Sequence, residues 1–202
     1  MLSAWPLSTP SYTGSRQYKI LLYAFLLGIG NGTIGVINTH IIGLPLFMDT
    51  IGTLISTAVF GLWPGIVTAV TTHMLSELLR GITGADFTLP WIICSSSSVI
   101  TLAILIRHNM FETFFHAVIA TILITLVNSI TGAFVAIVFF SGVTIHPVDY
   151  ITTAFLSVGQ SFFTSAFWAR IPINLIDKGI AVFITFGLCY YLRIKRREEE
   201  EF

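Results

Sequence analysis

Charged residues are scarce in this chain. They make up 10% of its 202 residues, ten basic and ten acidic. Soluble domains carry roughly 25%. With 54% hydrophobic residues and a mean hydropathy of +0.86, the chain reads as an integral membrane protein. Its zero net charge gives a nucleic-acid partner no electrostatic support. Cysteine is nearly absent. Cys94 and Cys189 each lie in an apolar run, where free Cys behaves as a small hydrophobe, so neither a disulfide nor a metal centre is expected. Enzyme signatures are missing as well. The sequence holds no G-x-S-x-G, H-E-x-x-H, G-x-x-x-x-G-K-[ST] or C-x-x-C. The chain is therefore not expected to be an enzyme or to need a cofactor. Without a nucleotide loop, active transport would draw on a partner or an ion gradient. The N-terminus is no signal peptide, because its two basic residues come late and no small-x-small cleavage site follows the first apolar run.

What is present is a series of apolar runs. A membrane span needs about 20 mostly apolar residues. Six fit, at about 19–37, 46–62, 65–79, 90–106, 114–140 and 172–192, with the break between the second and third at Trp63-Pro64-Gly65. The stretch 150–168 is apolar enough to span but contains Gln160 and several Ser and Thr. Basic residues prefer the cytoplasmic side of short loops. Six spans put Arg16 and Lys19, Arg107, and the Arg193–Arg197 cluster all in the cytoplasm, whereas a seventh span would put that cluster outside. The expectation is thus an all-α membrane protein of about six helices, both termini cytoplasmic, with 150–168 re-entrant or interfacial. A polar tail (1–18) and a charged tail (194–202) flank the membrane domain (19–193).

Within the apolar runs sit groups that are costly at membrane depth unless they meet a partner or a cavity. Asp49, Thr53 and Thr57 recur at i, i+4 and i+8, which would place them on one helical face. His73, Glu77 and Arg80 follow at i, i+4 and i+7, with Thr72 and Ser76 alongside. Thr121, Thr125 and Asn128 make a third stripe, and Asn174, Asp177 and Lys178 a fourth. Together these faces could surround one cavity. Local pairing is the alternative: Glu77 with Arg80, Asp177 with Lys178 or Arg170, Asn128 as an interhelical bridge, Asp49 bracing a helix start after Pro45. His40 and Asn38 lie in the loop after the first span. His108, His116 and His146 read as interface residues, and no histidine pair has metal-ligand spacing. Ala24, Gly28 and Gly32 form a small-residue ridge that lets another helix approach, either within this protein or from a partner.

Two segments carry a family resemblance: 46–70 (LFMDTIGTLISTAVFGLWPGIVTAV), an acidic-start helix with a G-x-x-P-G-type hairpin, and 170–180 (RIPINLIDKGI). Over most of 20–193 the chain resembles the substrate-binding membrane subunit, or S component, of an energy-coupling factor (ECF) transporter. The resemblance implies six helices in a prokaryotic plasma membrane and capture of a vitamin, vitamin precursor or similar micronutrient. It implies an outward pocket walled by the loops after spans 1, 3 and 5, here 38–45, 80–89 and 141–171. Asn38, His40, Asp49, Thr53, His73, Glu77, Arg80, Asn128, Asn174, Asp177 and Lys178 would then be candidate substrate contacts, with aromatics such as Trp91 and Phe47 stacking on the ligand. It also implies docking on a transmembrane coupling subunit through small residues of the first helix, with two separate cytosolic ATPases. Ala24, Gly28 and Gly32 occupy that pattern, two of them glycine where alanine is usual. Relatives also serve as sensory modules, so the fold alone does not establish transport.

Overall fold

The computed structural model describes residues 14–83, 87–142, 144 and 146–200. All secondary structure among them is helical. The elements are α1 (Gly14–Ile37), a π turn (Asn38–Ile42), α2 (Ile51–Phe60), α3 (Leu62–Thr83), a 3-10 turn (Leu89–Trp91) leading into α4 (Ile92–Arg107), α5 (Phe114–Phe140), α6 (Val148–Ser157) and α7 (Phe162–Glu200). Four of these, α1, α4 with its leading turn, α5 and α7, are long and apolar enough to cross a membrane. α3 has the length but carries His73 and Glu77, and α2 is a shorter apolar helix. The chain is an all-α membrane protein, and α1, α4 and α5 fall close to the expected spans.

Three expected boundaries move. The second span was placed at 46–62, yet α2 has ten residues, about 15 Å of helix, and starts only at Ile51. Pro45 and Asp49 therefore precede the helix, and Asp49 does not share a helical face with Thr53 and Thr57. The break before α3 falls at Gly61, whose φ of 105° no L side chain adopts easily, and not at 63–65. Trp63 and Pro64 instead form the first turn of α3, where proline loses no intrahelical bond. Finally, 150–168 is neither one helix nor a span. It divides into α6, too short to cross, and the first turns of α7, which begins at Phe162 and runs through Pro172. The charged residues 194–200 continue α7 without a break at 193.

Packing divides the bundle into two ends. At one end an apolar plug joins Leu54 and Ala58 of α2, Leu102, Leu105 and Ile106 of α4, Ala117, Ala120 and Ile124 of α5, and Ala181, Val182 and Cys189 of α7 around Phe111. At the other end, the chain segments 38–50 and 87–91 and the described residues 141, 142, 144, 146 and 147 surround polar side chains.

The small-residue ridge of α1 faces inward. Ala24 is fully buried, and its carbonyl accepts from Thr68 Oγ1 at 3.0 Å. A Cβ on Gly28 would lie 2.6 Å from Thr71 Cβ, and one on Gly32 would lie 2.8 Å from the Thr72 carbonyl. The ridge thus lets α1 and α3 of the same chain approach, which is the internal-packing alternative. Among the described contacts, α3 occupies the face expected to meet a coupling subunit. Gly28→Leu should therefore lower the stability of the isolated chain by about 1–3 kcal/mol through overpacking. Thermal denaturation in detergent, with no partner present, checks this.

Candidate functional site

The polar end encloses a cavity of about 480 Å³, lined by residues of α1, α3, α4, α5 and α7 and of the segments before α2 and α6. Its floor is a buried charge cluster. Lys178 is 2% exposed. Its Nζ donates to Asp177 Oδ2 at 2.6 Å and Thr50 Oγ1 at 2.5 Å, and it reaches Asp49 Oδ1 at 3.5 Å. Asp177 in turn accepts the Met48 N–H at 2.7 Å. This bond matters because 43–50 is irregular backbone, tolerated at membrane depth only where the protein satisfies its polar groups or where it lines a cavity. Met48 adopts a φ of 51°, an uncommon left-handed conformation held from α7.

Above this floor, Asp49 Oδ2 lies 3.8 Å from His73 Nε2, which bonds Ser95 Oγ at 2.8 Å. Asn128 reaches the Cys94 carbonyl at 3.0 Å and also Ser98 Oγ, so it bridges α5 to α4 while lining the cavity. Asn174 donates to Ser129 Oγ at 3.0 Å. Two aromatic pairs flank the space: Phe47 stacked on His146 at 4.8 Å, and Trp91 stacked on Phe140 at 5.4 Å. Lys178 Nζ lies 5.6 Å from the Phe47 ring centroid.

Of the sequence candidates, Asp49, His73, Trp91, Asn128, Asn174 and Lys178 meet on the cavity wall. The rest do other work. Asn38 is buried away from the cavity and donates to the Leu44 and Leu46 carbonyls, which closes the turn after α1. Thr53 lies beside Asn31. Asp177 is the counter-ion of Lys178, as local pairing proposes. Glu77 accepts from the Thr88 N–H at 2.8 Å and its Oγ1 at 3.2 Å, so it fastens the segment after α3. The side chains of His40 and Arg80 lie outside the described residues.

The structure adds residues that sequence reasoning missed. Arg170, Cys94, Gly132, Thr144 and His146 also line the cavity. Arg170 stands four residues before Asn174 and eight before Lys178, the same helical spacing used for the other stripes, but Pro172 was taken as the start of the last span. Asn31 was missed too. Its Oδ1 accepts the Gly52 N–H at 3.0 Å, capping α2 from α1, and its Nδ2 reaches the Asp49 carbonyl.

A cavity walled by five helices of a membrane bundle, its lining mainly apolar with a few converging polar groups, is the architecture of a solute-binding membrane protein. The family description "ECF transporter, substrate-specific component" matches residues 20–189, and the chain belongs to that family. It is a substrate-specific membrane subunit of the ECF transporter type. No curated protein and no solved structure matches it.

Two predictions follow from the site's electrostatics. Lys178→Met leaves the buried Asp177 and the half-buried Asp49 without their cation and should cost about 3–5 kcal/mol. Adding Asp177→Asn should recover part of that loss, as read by thermal melting of the single and double variants. In the loop before α6, burial pushes His146 down to about 4 from an ordinary 6.5. The folded chain thus prefers the neutral ring, and the unfolded chain binds more protons between these values. Stability from this group is full above about pH 6.5 and is lost as pH falls towards about 4. His146→Gln should flatten the pH dependence of Tm across that window.

Proposed function

We propose that this chain is the high-affinity capture subunit for uptake of a small micronutrient, a vitamin, vitamin precursor or similar compound. In this reading it works with a transmembrane coupling subunit and two cytosolic ATPases in the plasma membrane of a prokaryote. The observation that carries the reading is the roughly 480 Å³ cavity in a chain of this family, lined by apolar and aromatic surface with a few converging polar groups. Such a volume suits a compact single- or double-ring molecule. Asp49, His73, Trp91, Asn128, Asn174 and Lys178 are the candidate contacts. The Lys178 cluster sets the cavity floor, His73 and Asn128 supply hydrogen bonds, and Trp91 and Phe47 supply flat apolar surface. The chain captures solute, and the coupling subunit and ATPases supply the energy.

The packing of α3 on Ala24, Gly28 and Gly32 supports a docking surface elsewhere on the chain. A tagged chain, expressed in its native host and gently solubilised, should bring down one membrane coupling protein and two ATP-binding proteins, identified by mass spectrometry. Recovery of the chain alone, with ion-dependent uptake in liposomes, would replace this reading with a stand-alone transporter. Recovery with a signalling kinase would replace it with a sensor.

A further inference from the structure

The buried charges around the cavity do not all balance one another. Lys178 is neutralised by Asp177 and by Asp49. Arg170 is in a different position. It is 1% exposed, and its Nη1 donates to the Ala166 carbonyl at 3.0 Å, which anchors the guanidinium on its own helix. Its Nε and Nη2 have no hydrogen-bond partner among the described residues. Asp149, the carboxylate whose charge acts on Arg170, is engaged by Thr144 Oγ1 at 3.0 Å and by the His146 N–H at 3.3 Å. An arginine keeps its proton in a protein, so this is a buried cation with free donors. Those two donors share one edge of the planar fork, the geometry that gives parallel N–H···O bonds to two coplanar oxygens.

The surroundings complete a built subsite. The Arg170 stem passes over Gly132, where a Cβ would lie 3.0 Å from Cδ and 3.2 Å from Nε. The guanidinium lies 5.7 Å from the centroid of Trp91. His146 Nδ1 accepts the Val148 N–H at 3.3 Å, so the neutral ring carries its proton on Nε2, and that atom is unpartnered among the described residues. Asn174 uses its Nδ2 on Ser129, which leaves Oδ1 as an unpartnered acceptor. Three buried donors and one acceptor, all on residues that line the cavity, are thus without a partner among the described residues.

We propose that the cavity takes a solute bearing a carboxylate, held side-on by Nε and Nη2 of Arg170, with its flat or ring portion against Trp91. This deepens the capture reading and rests on it. A carboxylate suits the site better than a phosphate. The cavity offers one cation with free donors, Lys178 being already shared between two carboxylates. A phosphate monoester carries about 1.5 to 2 negative charges at neutral pH and would face Asp49 and Asp149 with only Arg170 to offset it.

The test uses the purified, detergent-solubilised full chain and a small-molecule extract of complex growth medium as the probe. After washing and denaturation, mass spectrometry identifies and quantifies what each variant retained. The wild type should retain a carboxylate-bearing compound. Arg170→Met should retain about 100-fold less, and Arg170→Lys, which keeps the charge without the fork, an intermediate amount. Gly132→Ala, whose Cβ crowds Cδ and Nε and so shifts the guanidinium while keeping its charge, should weaken retention about tenfold. Ligand-free Arg170→Met should melt close to the wild type, because relief of the buried cation and loss of the charge facing Asp149 offset one another. A lower melting temperature would mark Arg170 as a structural support and overturn the proposal. So would retention of a neutral or cationic compound, or of an anion held equally by Arg170→Met, although either would leave the capture reading standing. Loss of a phosphorylated compound in Arg170→Met would overturn the carboxylate assignment. A wild type that retains nothing would overturn the capture reading as well.

Discussion

The ion cluster of Lys178 with Asp177 and Asp49 is the constraint on which the rest of this structure depends. Residues 43–50 are not helical, so their backbone N–H and C=O groups find no partners within a helix. The cluster solves this from a distance. Asp177 takes the Met48 N–H with one oxygen and the lysine with the other, while Lys178 holds Thr50 and faces Asp49. A segment 129 residues away in sequence is thereby fixed to α7. Only once that segment is fixed can α2 begin at Ile51 and can Phe47 and Asp49 stand on the cavity wall. A buried ion pair adds little net stability compared with an apolar replacement, but removing one member is costly. The cluster therefore specifies the arrangement more than it strengthens it.

A second division of labour follows from where small and large side chains lie. The plug around Phe111 and Leu102 is packed with aliphatic groups, so the end of the bundle opposite the cavity is closed without polar partners. Between α1 and α3, glycine and threonine replace bulk with proximity. Thr68 and Thr72 donate to carbonyls of α1 across a gap that only glycine permits. Rigid contact there keeps Gly35 and Val36 of α1 and His73 and Ser76 of α3 in register on the same cavity wall.

The helices were legible in the sequence because apolar runs of span length allow little else, and α5 emerged at its expected bounds, 114–140. The start of α2 was not legible. The run 46–62 is apolar throughout, so nothing local distinguishes irregular backbone held by Asp177 from a first helical turn. Half of the candidate contacts line the cavity, because polar residues repeating on a helical face must point somewhere polar. The others, Thr53, Asp177 and Glu77 among them, obey the same rule by meeting protein partners, and spacing cannot tell the two outcomes apart. Arg170 was hidden for a different reason. Pro172 is a strong helix-start signal, and reading it so began the last helix two residues after Arg170, the residue that completes its polar stripe.

The length of α7 bears on how the two ends of the molecule communicate. Its 39 residues extend roughly 58 Å, nearly twice the hydrocarbon thickness of a bilayer. Arg170, Asn174 and Lys178 lie in its third to fifth turns, and its charged last turns lie beyond the plug. From Ile173 onward no proline interrupts it. The geometry of such a rod is that of a long arm: any tilt about its cavity end would displace the far end by a distance that grows with the length between them.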